Sequence, residues 1–173
     1  MILRSSPIAG AVALLLLTPS PAFAQAETTI ARDAAKMAEL GTFATTAKAV
    51  GLTATLAKAG PFTLFAPNDA AFDKLPAGTV STLLKAENRA TLATLLSYHV
   101  VRGRLSAKDL REAIARGDGR AVLDTLQGEP LIASHVAGEI VLIDAKGSTS
   151  RIVQPERPEK NGVLYIVDTV LMP

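Results

Sequence analysis

The 173-residue chain has no cysteine, no tryptophan and only two histidines. The absence of cysteine excludes disulfide bonds, thiolate metal sites, a cysteine nucleophile and a lipid-modified cysteine. A zinc site would need both His99 and His135, and these lie far apart in the chain at no helical or hairpin spacing. We therefore expect no metal and no other cofactor.

An excess of charge of one sign is also missing, since 18 basic residues face 16 acidic ones and the formal net charge is +2. A chain so close to neutral produces no broad field that would attract nucleic acid. Basic residues such as Arg102, Arg104 and Arg111 are scattered, with few aromatic side chains among them to stack on bases. We expect a solvated basic surface and no nucleic-acid partner.

A hydrophobic run long enough to cross a membrane is absent as well. Arg4 precedes the apolar stretch Pro7–Thr18, which is too short to span a bilayer comfortably, and Ala22-Phe23-Ala24 is a small-x-small cleavage signal. We predict a signal peptide over residues 1–24, a short N-terminal segment over residues 25–27 and one domain over residues 28–173. The protein should be exported, to the periplasm or beyond the cell, without a transmembrane anchor after cleavage.

The first half of the expected mature chain has helical periodicity. Ile30, Ala34 and Met37 recur at three- and four-residue intervals and predict a helix that ends at Gly41. A short β-prone segment over residues 62–66 lies between two prolines, and Asn68 is a suitable N-cap for the helix after it. Ser106 and Asp109 have the spacing of a capping box for a later helix.

The second half is typical of strands. Short apolar runs near residues 121–126, 131–133, 140–143 and 151–153 are separated by turn residues, which predicts an antiparallel meander. The proline-bearing segment 154–160 reads as an exposed loop, and Asn161-Gly162 as a tight turn. Val163–Met172 is apolar at both alternating sets of positions and predicts a strand buried on both faces. The fold class is therefore α+β, with helices concentrated in the N-terminal half.

Catalytic motifs are few. The chain has no Gly-x-Ser-x-Gly nucleophile motif and no glycine-rich phosphate loop. Asp69 and Asp73 share one helix face, and this pair would suit acid–base work or, more commonly, capping and solvation. We expect His99 to be partly buried and held by Asp69, a contact that would raise the pKa of His99.

Three segments together resemble the fasciclin-like domain. They are Gly60–Phe72 followed by Leu75-Pro76, the tyrosine–histidine segment Leu95–Val101, and Asn161–Pro173. The resemblance covers about residues 28–173 and implies a compact wedge or sandwich of β-strands packed with several helices. This chain departs from the family pattern at Tyr165, where histidine is common, and in the atypical loop 154–160.

The resemblance also implies site residues. A partner would be contacted by the tyrosine–histidine segment through Leu96, Tyr98, His99 and Val100, although Tyr98 could equally belong to the core. The structural motif comprises Phe62, Phe65, Asn68, Asp69, Phe72, Asn161, Gly162 and Asp168.

The implied function is a secreted or periplasmic adhesion module that is not an enzyme. It would bind a cell-surface or extracellular-matrix protein or glycan through protein–protein or protein–matrix contacts. Two alternatives remain: an extracellular hydrolase that uses Asp69 and His99, and a periplasmic accessory protein that stabilises another secreted protein. The sequence carries no signal for an oligomeric state.

Overall fold

The computed structural model describes residues 28–58 and 60–173. The expected signal peptide and the short segment 25–27 lie outside the described residues, as does Ala59.

The described chain forms seven α-helices, two short 3₁₀ helices and eight strands. The α-helices are Ile30–Ala34 (α1), Gly41–Ala49 (α2), Leu52–Leu56 (α3), Asp69–Asp73 (α4), Thr79–Leu83 (α5), Arg89–Tyr98 (α6) and Ala107–Arg116 (α7). The 3₁₀ helices are Ala38–Leu40 and Ala86–Asn88. The strands are Phe62–Pro67 (β1), Val100–Arg102 (β2), Arg120–Asp124 (β3), Pro130–Val136 (β4), Glu139–Ile143 (β5), Thr149–Arg151 (β6), Arg157–Glu159 (β7) and Gly162–Val167 (β8).

The first sheet has the strand order β2-β1-β8-β7. Its two central strands run in parallel, from Phe62 opposite Gly162 to Pro67 opposite Val167. The outer strands β2 and β7 pair with them in antiparallel fashion. All six residues of β8 are buried, which confirms a strand covered on both faces, although the strand ends at Val167 and does not continue to Met172.

The second sheet is the predicted meander, with the order β3-β4-β5-β6 and antiparallel pairing throughout. On β3 the burial alternates along the strand, so Ala121 and Leu123 face inward while Val122 is exposed. This alternation is typical of a sheet that packs on one face and meets solvent on the other.

Two apolar cores lie on opposite faces of the first sheet. One lies between this sheet and the N-terminal helices and contains Leu64, Ala66, Leu164 and Ile166 together with Phe43, Leu92 and Leu96. The other lies between the two sheets and contains Phe65, Val163 and Tyr165 together with Leu110, Leu131 and Leu142. The central strands β1 and β8 therefore connect both cores.

The structure corrects three local predictions. Gly41 does not end a helix, because it has right-handed helical torsions and is the first residue of α2. Segment 154–160 is not wholly an exposed loop, since it contains β7, in which Glu159 is only 3% exposed. Pro158 is tolerated because β7 is an edge strand, where a missing backbone N–H breaks no internal ladder. A tight turn joins β7 to β8, but its two central residues are Lys160 and Asn161, and Gly162 is already paired with Glu159 as the first residue of β8.

Candidate functional site

The tyrosine–histidine segment lies at the junction of α6 and β2. Leu96, Tyr98, His99 and Val100 are each 0% exposed. The prediction that these four residues contact a partner is therefore wrong for the folded chain, because none of them presents surface. The alternative assignment of Tyr98 to the core is confirmed, and that side chain lies in the core between the two sheets.

Tyr98 connects the end of α6 to the loops of the second sheet. Its hydroxyl donates to the carbonyl oxygen of Pro130 at 3.0 Å and accepts from the backbone N–H of Ala145 at 3.1 Å. Burial raises the pKa of Tyr98, since the charged phenolate would lose its hydration. The phenol is thus a neutral hydrogen-bonding group inside the molecule.

His99 connects α6 to the C-terminal tail. Its Nδ1 lies 2.9 Å from the carbonyl oxygen of Leu95, and its Nε2 accepts from the backbone N–H of Leu171 at 3.0 Å. An acceptor Nε2 requires the neutral tautomer with hydrogen on Nδ1, which then donates to Leu95. Burial lowers the pKa of His99 to about 4, against smaller opposing effects of the Leu95 bond and the Asp144 charge.

Asp69 does not hold His99, so the predicted contact between them is wrong. The Asp69 carboxylate instead accepts from the backbone N–H of Thr42 at 2.8 Å, at the start of α2. Helix α2 follows Leu40, which has no capping side chain, so Asp69 supplies the missing acceptor from another part of the chain. The prediction that the pKa of His99 is raised is also wrong. The contact between Asp69 and His99 that the hydrolase alternative assumed is not formed.

The C-terminal tail is held at a second point by Asp144. This carboxylate accepts from the backbone N–H of Met172 at 3.0 Å and from those of Lys146 and Ser148 at 3.0 and 2.8 Å. Asp144 is 4% exposed, and its three N–H partners replace the water it loses on burial. The tail and the loop after β5 are therefore fixed together.

Asn161 and Gly162 form a junction between the turn and the N-terminal helices. The Asn161 side chain accepts from the backbone N–H of Ile30 at 3.0 Å and donates to the carbonyl oxygens of Leu56 and Lys58 at 2.6 and 2.9 Å. A Cβ atom on Gly162 would lie 1.8 Å from the carbonyl oxygen of Phe62. Only glycine permits this approach of β8 to β1.

Asn68 and Asp168, which directly follow β1 and β8, accept hydrogen bonds from backbone N–H groups of α4 and β6. Asn68 accepts from Ala71 N–H at 2.9 Å, which confirms it as the N-cap of α4. Asp168 accepts from Arg151 N–H at 2.8 Å and lies 3.4 Å from the ammonium of Lys74.

The three motif phenylalanines are divided between the two cores. Phe72 and the partly buried Phe62 pack in the core against the N-terminal helices, and Phe65 lies in the core between the sheets.

Tyr165, where the family commonly has histidine, stacks on Phe65 with ring centroids 5.2 Å apart. Its hydroxyl lies 3.0 Å from the carbonyl oxygen of Leu105 and 2.9 Å from the carboxylate of Glu156, and it can donate to one of them at a time. Glu156 also accepts from the backbone N–H of Ala107 at the start of α7. The loop 154–160 therefore supplies one of the two acceptors of the Tyr165 hydroxyl.

Three of the basic residues that are far apart in the sequence line one depression. Lys58, Arg104 and Lys160 surround about 560 Å³ of open volume beside the Asn161 junction. They come from the end of α3, the segment after β2 and the turn before β8, so no linear pattern could have indicated the cluster. The described residues contain no group of three metal-ligating side chains, and none of their helices is long and apolar enough to cross a membrane.

A sheet with a central parallel pair packs helices on one face and an antiparallel meander on the other, and a buried tyrosine–histidine segment lies at the junction of α6 and β2. This arrangement defines an α+β scaffold of the fasciclin type. A family model for the fasciclin domain matches residues 38–173. The chain belongs to the fasciclin domain family.

Relatives and a solved structure agree with this assignment. Protein sll1483 of Synechocystis is 33% identical over 145 residues, covering 84% of this chain and 73% of the relative. Cell surface glycolipoprotein MPB83 of Mycobacterium bovis is 35% identical over 114 residues, covering 66% of this chain but 44% of the relative. The FAS1 domain pair of the insect cell adhesion molecule Fasciclin I has the same fold, with a TM-score of 0.74 and 19% identity, covering 85% of this chain and 51% of that one.

Proposed function

We propose that the protein is an exported, non-catalytic adhesion module of the periplasm or cell exterior. It binds a cell-surface or extracellular-matrix protein or glycan through its surface, by protein–protein or protein–matrix contacts. Membership of the fasciclin domain family supports this reading, and so does the description of one relative as a cell surface glycolipoprotein. The observation that carries most weight is the structural use of the reactive side chains.

His99, Tyr98 and Asp69 are each committed to backbone partners. Such bonds hold a scaffold rigid, and Tyr98 and His99 are also fully buried, so neither can reach a substrate at the surface. A rigid scaffold suits binding, because little conformational entropy is lost when a preorganised surface meets its partner. The binding surface must then be built from exposed residues rather than from the tyrosine–histidine segment.

The experiment is adhesion of protein-coated fluorescent beads to whole cells and to matrix preparations. The expected result is saturable attachment that excess soluble native protein displaces. The control is beads coated with an unrelated protein of similar size and charge. Attachment no greater than the control on every preparation would contradict the proposed function.

A further inference from the structure

Two neighbouring depressions form a continuous surface feature near the N-terminal end of the described chain. The larger, of about 560 Å³, includes Lys58, Arg104 and Lys160 in its lining, and the smaller, of about 450 Å³, includes Arg32. Thr29 and Ala57 belong to the walls of both. We call the two depressions together the basic groove.

Every charged side chain that lines the basic groove is cationic. Arg32, Lys58, Arg104 and Lys160 take part in none of the ion pairs formed among the described residues. Four like charges around one concave surface raise the local positive potential and favour an anionic ligand.

Two carboxyl groups on the adjoining elements do not cancel this charge. Neither lines the groove. Asp33 lies 3.7 Å from the guanidinium of Arg157, and Glu159 is buried and accepts from the hydroxyl of Thr28 at 2.7 Å. Burial raises the pKa of Glu159.

Arg104 is already fixed in position. Its guanidinium donates to the carbonyl oxygens of Gly162 at 3.0 Å and Lys160 at 2.9 Å. A guanidinium carries five N–H donors, so further donors remain for a carboxylate. Because the side chain is immobilised in the free protein, a ligand that binds it loses little additional entropy.

The rest of the lining favours an acidic peptide over a ligand that is held by aromatic stacking. The walls between the cations are small side chains such as Ala31, Ala57 and Pro61, and no aromatic ring lines either depression. A sugar ring would find no stacking surface there, whereas an extended peptide could place small apolar side chains against these walls.

We propose that the basic groove binds an extended peptide segment of a partner protein that carries at least two acidic side chains. The proposal rests on the proposed function, since it specifies the kind of partner that an adhesion module would contact.

The test is a direct binding measurement with purified protein, independent of cell adhesion. The probe is a fluorescein-labelled hexapeptide of alternating alanine and glutamate, followed by fluorescence anisotropy at low ionic strength. The key variant is Lys58→Glu/Lys160→Glu, in which neither replaced side chain makes a hydrogen bond in the structure. The matched control, Lys85→Glu/Lys146→Glu, changes the net charge equally at exposed lysines outside the groove.

We expect the groove variant to weaken peptide binding by about tenfold or more and the control by about twofold or less. The same peptide with glutamine in place of glutamate should not bind. Backbone amide signals of Thr29 and Ala57 should shift in NMR spectra during the peptide titration.

Three results would overturn the proposal. One is no anisotropy change with the wild-type protein, and another is equal weakening in both double variants, which would indicate a net-charge effect. The third is binding of heparin at the groove without binding of the peptide, which would assign the site to an anionic glycan. Because no cells are used, a failure here leaves the bead adhesion result to judge the proposed function separately.

Discussion

The buried His99 predicts a specific dependence of stability on pH. In the unfolded chain His99 has its ordinary pKa of 6.5, and in the folded protein burial lowers the pKa to about 4. Between these values the unfolded state binds more protons, so the free energy of unfolding rises with pH. The contribution is fully present above pH 6.5 and is lost as the pH falls towards 4.

The size of the effect follows from the shift. At about 1.4 kcal/mol per pKa unit, the lowered pKa of His99 corresponds to about 3 kcal/mol of folding stability. The physical reason is that a proton on Nε2 would meet the Leu171 N–H, which also points at that atom, and that the charge would be buried without water.

The perturbation is His99→Gln, which removes the titrating group and retains an amide oxygen that can accept from Leu171. The assay is urea unfolding followed by circular dichroism at several values between pH 4 and pH 7. We expect the wild-type free energy of unfolding to fall by about 3 kcal/mol more than that of the variant over this range. The absolute stability of the variant does not matter, because only the two pH dependences are compared.

Carboxyl groups also contribute to the pH dependence of stability, both in the wild type and in His99→Gln. The pKa of Glu159 is raised by burial, so its contribution falls as the pH rises, whereas the hydrogen bonds of Asp109 with Ser106 hold its pKa below the usual range and act in the opposite direction. These terms cancel in the comparison. His135→Gln, at an exposed position on β4, is the matched control for replacing a histidine by glutamine. Equal pH dependence of the free energy of unfolding in wild type and His99→Gln would show that His99 does not cause the loss of stability at low pH.

Two further predictions concern the turn before β8. Asn161→Ala removes the hydrogen-bond partners of three backbone groups. It should lower the free energy of unfolding by about 3 kcal/mol, measured by urea denaturation at pH 7. A loss below about 1 kcal/mol would show that water replaces the side chain. Gly162→Ala would force β8 away from β1 and should cost about 3 kcal/mol or more, with Gly41→Ala, where the nearest atom to a Cβ would lie 3.5 Å away, as the matched control for replacing a glycine. Unchanged thermal stability of Gly162→Ala would contradict the close approach.

Local rules predicted much of the fold. Apolar residues at both alternating sets of positions correctly indicated that β8 has two buried faces, because a strand between two cores needs apolar side chains on both. The strand ends at Val167, however, and not at Met172. The capping box of α7 was readable from spacing alone, and the structure contains both of its bonds, between Ser106 and Asp109. Each of these features depends only on residues close together in the chain.

Features that depend on the tertiary structure could not be predicted from the sequence. The acceptor role of His99 was not predictable, because its partner is a backbone N–H in a remote segment, and a backbone group leaves no mark in the side-chain pattern. The role of Asp69 at α2 was missed for the same reason. The prolines of segment 154–160 suggested a loop because no local signal shows that β7 is an edge strand.

The basic groove could not be predicted from the sequence either. Lys58, Arg104 and Lys160 are separated by more than forty positions, and in the sequence they read as ordinary solvated residues. For the tyrosine–histidine segment the error was the reverse. The motif indicated a contact surface, but the segment lies inside the molecule. A motif that identifies a fold therefore need not lie where the fold meets its partner.

We propose that the contacts of this binding module lie on its exposed surface, while the tyrosine–histidine segment supports the scaffold from within. The direct test is the adhesion of beads that carry wild-type protein or His99→Gln protein, measured as saturation curves at pH 7. The predicted result is saturable binding with the same half-saturation for both proteins, once circular dichroism shows that both are folded. Binding that is lost in the folded His99→Gln protein, or absent with the wild type, would contradict the claim.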